Sequence, residues 1–160
     1  MATSSRSEVL RPTVIDRLIS DEGRSSFEGV SVRELKASVA RDVEWLLNTR
    51  VLRVGAFERL EQARESLLTY GLPDLSVYSW AKPDDARSIA ALIEDAIRRF
   101  EPRIQPRSLR CEVMPAADVA DFSLRIRIEA VLDVDPILEP VVFDSGLDLS
   151  GGGLRIESFE

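Results

Sequence analysis

The residues of this 160-residue chain best suited to chemistry stand together at Phe100-Glu101-Pro102-Arg103. Glu101 and Arg103 flank a proline and, on an extended backbone, project to the same side. Three uses fit a carboxylate and a guanidinium so placed. Glu101 can serve as the general acid of a glycoside cleavage. That chemistry usually needs two carboxyl groups ~5–9 Å apart, one of them kept protonated by an apolar pocket. Asp118, Asp121, Asp133, Asp135 and Asp144 are available, but no spacing singles out a partner. The neighbouring Arg103 also favours the ionised carboxylate, the wrong state for an acid catalyst. Alternatively the pair docks onto another protein through charge-assisted hydrogen bonds. The third use is an internal ion pair at a helix end, the commoner employment of such groups.

Other chemistries are narrower. The chain has no histidine, which removes the usual metal ligand and the usual neutral-pH general base. Neither a zinc site nor a Ser/His/Asp triad is expected, and no cofactor motif is present. The lone Cys111 has no internal disulfide partner and reads as a reduced core thiol. Gly151-Gly152-Gly153 is not a phosphate loop, since no helix and no Lys-Ser/Thr pair follows it. It reads as a flexible joint before a short terminal strand, which either closes the protein's own sheet or reaches a neighbour by strand addition. Tyr70-Gly71-Leu72-Pro73-Asp74-Leu75 is a turn that either caps the core or forms an interaction patch. Leu46-Leu47-Asn48-Thr49-Arg50 is a helix terminus, where Asn48 and Thr49 cap backbone groups or touch a partner. Arg125 and Arg127 read as solvated charges on a polar strand face.

The elements that position these groups follow from periodicity. Ser31-Val32-Arg33-Glu34 matches a capping box. Leu35, Val39, Val43, Leu46 and Leu47 then repeat at helical spacing, which predicts an amphipathic helix over about 32–50 with Trp45 beside its stripe. A shorter helix is expected over Thr13–Ile19, with Val14, Ile15, Leu18 and Ile19 on one face, and a loop over Asp21–Gly29. Residues 56–70 fit either a helix or a loop with a helical turn or two. A second long helix starts near Pro83, with Asp84 and Asp85 at its positive end, and stops at Pro102. Ala86, Ile89, Ala90, Ile93, Ala96, Ile97 and Phe100 form its buried stripe. Beyond Pro102 the period becomes two. Leu109–Val113 and Phe122–Leu132 alternate, and Val141–Phe143 and Leu154–Ile156 supply shorter strands. Helices first and strands second imply an α+β fold: two to three N-terminal helices packed on a small, mainly antiparallel C-terminal sheet.

The formal net charge of -7, with Lys36 and Lys82 the only lysines, argues against nonspecific nucleic-acid binding, which needs a basic face. No segment approaches the ~20 apolar residues of a membrane span. Met1–Ser7 lacks the apolar stretch of a signal peptide, so residues 1–11 read as a flexible lead and 12–160 as one domain, with a cytoplasmic location expected.

Four segments, taken in order, resemble the TssE family of type VI secretion baseplate subunits, which is similar to a wedge protein of contractile phage baseplates once described as lysozyme-like. They are Val14-Ile15-Asp16-Arg17-Leu18, Arg41–Arg50, Leu67-Leu68-Thr69-Tyr70-Gly71-Leu72-Pro73-Asp74-Leu75-Ser76 and Phe100-Glu101-Pro102-Arg103, spread over most of residues 12–150. The resemblance implies a non-catalytic structural subunit that joins the wedge proteins TssF, TssG and TssK. It also implies a sheet on which the TssB/TssC sheath starts to polymerise, with the inner membrane reached only through the assembled baseplate. The Glu-Pro-Arg motif carries over to Glu101, Pro102 and Arg103 as an assembly contact. Tyr70, Leu72 and Asp74 are the further residues expected to meet partners; no catalytic residue, metal or cofactor is implied. The Gly-rich tail after Ser150 departs from the family pattern. The alternative to this assignment is a peptidoglycan glycosidase with Glu101 as general acid.

Overall fold

Helix α1 (Val14–Ile19) is a short helix whose Thr13 side chain accepts from the Asp16 amide at 3.1 Å. Helix α2 (Val32–Asn48) begins at the expected capping box: Ser31 Oγ accepts from the Glu34 amide at 3.2 Å, and the Glu34 carboxylate accepts from the Ser31 amide at 2.8 Å. Its buried stripe is the predicted one, Leu35, Val39, Val43, Leu46 and Leu47, with Ala40 and one polar addition, Ser38. A single turn α3 (Glu61–Arg64) and a 3₁₀ turn at Leu67–Thr69 follow. Helix α4 (Pro83–Phe100) starts on its proline, buries Ile89, Ile93, Ala96 and Ile97, and stops before Pro102. The structure, a computed structural model, describes residues 10–19, 29–51, 60–64, 66–79, 82–114, 123–135, 137–148 and 153–159. Expectations for residues 1–9, 20–28, 52–59, 115–122 and 151–152 lie outside them.

Four strands form an antiparallel meander: β1 (Arg110–Met114), β2 (Ser123–Val134), β3 (Ile137–Asp148) and β4 (Gly153–Phe159), in that order across the sheet. The α+β layout is therefore as expected. The alternation along β2 places Ile126, Ile128, Ala130 and Leu132 in the core with Val141, Phe143, Cys111 and Leu154, beneath α2 and α4. Each large aliphatic side chain so buried contributes about 1.5–3 kcal/mol. On the other face Arg127 lies opposite Asp144 in register and donates to it from Nε at 2.7 Å, so this arginine is paired across the strands rather than merely solvated.

Strand β3 is much longer than the three residues expected, because Pro140 and Gly146 resemble strand breakers in the sequence. From Ile137 to Val142, however, β3 has β2 on one side only, since β4 pairs no further than Phe143. Along an edge, proline's missing N–H costs no ladder bond.

The two outer edges of the sheet are bonded by helix side chains. On β1, the Cys111 amide donates to Glu94 of α4 at 3.0 Å. On β4, the Leu154 amide donates to Asn48 Oδ1 and the Leu154 carbonyl accepts from Asn48 Nδ2, both at 2.7 Å, while the Ile156 amide donates to Glu44 at 2.9 Å. Asn48 thus stands in for a neighbouring strand residue, and a strand edge is covered by a helix. Gly153 is what admits it: its φ is +75°, and a Cβ there would come within 2.6 Å of Asn48 Oδ1.

Candidate functional site

The chain leaves α4 at Glu101, whose amide still donates to the Ile97 carbonyl at 2.9 Å. Pro102 cannot continue the helix, so the backbone folds over and the Ile104 amide donates to the Glu101 carbonyl at 3.2 Å. The turn is fastened to the end of β2: the Asp133 amide donates to the Arg103 carbonyl at 2.8 Å, and the Gln105 amide donates to the Val131 carbonyl at 2.9 Å. Held this way, Glu101 is 4% exposed. Arg103 donates from Nε to Glu101 Oε1 at 2.6 Å and from Nη2 to Glu101 Oε2, and its backbone amide donates to Oε1 at 3.1 Å. Both carboxylate oxygens are therefore aimed at Arg103, and Pro102 alone of the three is exposed.

This pair is the root of a wider network. Arg103 Nη2 donates to Asp42 Oδ2 at 2.7 Å and Nη1 to Ser38 Oγ at 3.3 Å. Arg41 donates from Nε and Nη2 to Asp42 Oδ1 at 3.1 and 2.9 Å, and from Nη1 to Asp16 Oδ1. Ser38 Oγ donates to Asp16 Oδ2 at 3.0 Å, and Thr13 Oγ1 donates to the same oxygen at 2.6 Å. Three elements, α1, α2 and the end of α4, are thereby tied through charged side chains. Burial works to raise the Asp16 pKa, but the bonds from Arg41, Thr13 and Ser38 outweigh it and hold the carboxyl at about 2. Burial likewise works to lower Arg103, and the Glu101 and Asp42 carboxylates more than offset it, leaving the guanidinium raised.

Beside the network lies a cavity of about 340 Å³ lined by Ile15, Trp45, Tyr70 and Phe100, with Asp42, Glu101 and Arg103 supplying its charge. Tyr70 packs edge-on against Phe100, with ring centroids 5.2 Å apart. Its phenol is pushed up by burial first, then by the Asp42 and Glu101 carboxylates. Of the residues singled out in the sequence, the structure brings Tyr70 together with Glu101, Pro102 and Arg103 around this cavity. Leu72 lies in the core, where its amide donates to the Thr49 carbonyl at 2.8 Å and its carbonyl accepts from the Val51 amide at 2.9 Å. Gly71 makes that approach possible, since a Cβ there would fall 2.2 Å from the Thr49 carbonyl oxygen. Asp74 is on the surface, outside the cavity lining, and accepts from the Ser76 amide at 3.0 Å; that bond lowers its pKa. Thr49 Oγ1 donates to the Trp45 carbonyl at 2.8 Å, so Thr49 caps the end of α2.

Sequence reasoning assigned no role to Asp16, Ser38, Arg41 or Asp42. One signal was there to read. Ser38 is a polar residue within the apolar stripe of α2, and Arg41 and Asp42 lie three and four residues on, hence on the same face. Trp45 extends that face and carries the Arg41 guanidinium 5.2 Å from its ring centroid. Among the described residues no three Asp, Glu or Cys side chains converge to hold a metal.

The molecule is thus an α+β domain whose charged centre joins its own elements beside an aromatic-walled cavity. The chain belongs to the family of the baseplate wedge protein gp25, whose family model matches residues 33–137, from the first turn of α2 to the start of β3. That is the family of TssE, and its members are structural components of phage-tail-like baseplates. No curated protein matches the chain significantly.

Proposed function

We propose that this chain is the TssE subunit of a type VI secretion baseplate, working in the cytoplasm to join TssF, TssG and TssK and to start the TssB/TssC sheath. The observation that carries the reading is the enclosed Glu101–Arg103 pair, which fixes Pro102 and the aromatic cavity in one shape at the protein surface. A fixed, partly apolar surface loses little conformational freedom on docking, which favours affinity. The gp25 family match over residues 33–137 supports a baseplate role. Among the described residues no helix is long and apolar enough to cross a membrane. Tyr70 belongs to the docking surface through the cavity; Leu72 acts beneath it by holding the turn, and Asp74 extends the surface past the turn. Sheath initiation uses a sheet edge by strand addition. On β4, Asn48 and Glu44 occupy Leu154 and Ile156, so an added strand either pairs beyond Ile156 or displaces those two side chains.

The subunit is not a glycosidase in this reading. An acid catalyst must present its carboxyl to substrate, and both Glu101 oxygens are turned inward onto Arg103. The test is co-expression of the tagged chain with wedge and sheath subunits, followed by affinity capture, with turnover of purified peptidoglycan measured on the same preparation. Capture of wedge subunits without turnover is expected. Turnover abolished by Glu101→Gln, with no partner captured, would reverse the assignment.

A further inference from the structure

Helix α1 is built inside out. Its acid faces inward: Asp16 accepts from Ser38 Oγ at 3.0 Å, from Thr13 Oγ1 at 2.6 Å and from Arg41. Its apolar residues face outward: Val14 is 70% exposed, Leu18 80% and Ile15 40%. Val14 and Leu18 stand four residues apart, hence on one face, about 6 Å from each other along the axis. A helix of six residues has little stability of its own. Hydrophobic burial would turn Val14 and Leu18 towards the core, and the bonds to Asp16 hold them out instead. The chain just before the helix is fixed as well, since Leu10 is buried and its carbonyl accepts from the Val30 amide at 3.0 Å. Ile15 also lines the aromatic cavity with the exposed Trp45, so the apolar surface extends from the ridge to the cavity. An apolar ridge locked outward in this way marks a contact surface.

The charge around the ridge indicates what covers it. On Ser38–Trp45, the stretch of α2 that borders α1, the acids are spent inside the molecule: Asp42 accepts from Arg41 and Arg103, and Glu44 from the Ile156 amide. Arg11 and Arg17, by contrast, are exposed and flank Val14 in the sequence, in a chain whose net charge is -7. We propose that α1 is a docking ridge: Val14 and Leu18 enter an apolar groove on a baseplate wedge subunit, and carboxylates on the rim of that groove meet Arg11 and Arg17. A second copy of this chain fits less well, because ridge against ridge sets these arginines against their own kind. That the partner is a wedge subunit rests on the baseplate reading.

The test measures binding of the full chain to an immobilised, purified complex of wedge subunits by biolayer interferometry, beside the melting temperature of each variant. Val14→Ser combined with Leu18→Ser should leave melting unchanged, since both side chains are exposed. It should weaken binding about a hundredfold, as befits two apolar side chains kept from burial. Arg11→Glu should weaken binding several-fold and flatten its dependence on salt. Wild-type affinity in either variant overturns the inference and leaves the baseplate reading standing. Should the double variant melt lower, Arg11→Glu alone decides. If the chain dimerises by itself and the double variant does not, the inference is overturned in favour of a second copy. No binding by the wild-type chain overturns the baseplate reading, and this partner with it.

Discussion

Glu101 depends on Arg103 because its buried carboxylate has no water to fall back on, and Arg103 is itself only partly exposed. Glu101→Ala leaves the Arg103 guanidinium with only Asp42 and Ser38, and breaking a buried pair from one side costs about 3 kcal/mol or more. For a chain of this size that corresponds to a fall of roughly 6–12 °C in melting temperature, readable by circular dichroism. Any loss of partner capture in this variant must therefore be compared with its stability before docking is blamed. At Asp16 the sign of the pH dependence follows from a folded-state pKa of about 2 against an ordinary 3.8. The unfolded chain takes up its proton first, so the stabilisation is complete above about pH 4 and lost as pH falls towards 2. Urea unfolding between pH 5 and 2 should show a shallower acid-side decline in Asp16→Asn than in wild type. Cys111 is pushed up to about 12 by burial first and then by Glu94, so a disulfide reagent at pH 8 should leave the native thiol untouched and label it only after unfolding. The reduced core thiol was legible from the alternation around it. The reach of Arg41 to Asp16 was not, because a bond across 25 residues leaves no trace in local spacing.

At the scale of elements, the sequence announced what local rules control. The capping box, the first-turn proline of α4 and the helix stop at Pro102 all hold, since each is decided within a few residues. The length of β3 was hidden because proline's effect depends on whether a neighbouring strand needs its N–H, which only the pairing pattern decides. The exposure of Val14 and Leu18 was hidden for a similar reason: a shared apolar face does not say what it faces. The bond between α2 and β4 spans 106 residues and was also beyond local reading. It makes a sharp prediction. Asn48→Ala removes two main-chain bonds from an edge strand and should cost about 1–3 kcal/mol. The amides of Leu154 and Ile156 should exchange with deuterium faster than those of β2. Gly153→Ala should produce the same local loosening from the other side of the contact, because its Cβ displaces Asn48. Uniform acceleration through the sheet in either variant would mean that β4 does not open by itself.

For the whole molecule, residues 33–137 carry the family pattern, and they include Ser38, Arg41, Asp42 and the Glu101–Arg103 turn but neither Asp16, most of β3 nor any of β4. The part shared with the family thus contains the cavity lining apart from Thr13 and Ile15, and most of the charge that shapes it. The central claim is that this face, and not the far end of the sheet, meets the rest of the baseplate. Met114 provides the contrast: it pairs with Arg125, eight residues along β2 from the Asp133 that anchors Arg103, or about 26 Å away. Both Trp45 and Met114 are partly exposed and tolerate a photo-reactive phenylalanine analogue. The most direct measurement is photo-crosslinking of the two substituted chains, each co-expressed with the wedge subunits, followed by mass spectrometry of the products. A crosslink to a wedge subunit from position 45 and none from position 114 is the predicted result. A crosslink from position 114 with none from position 45 would contradict it.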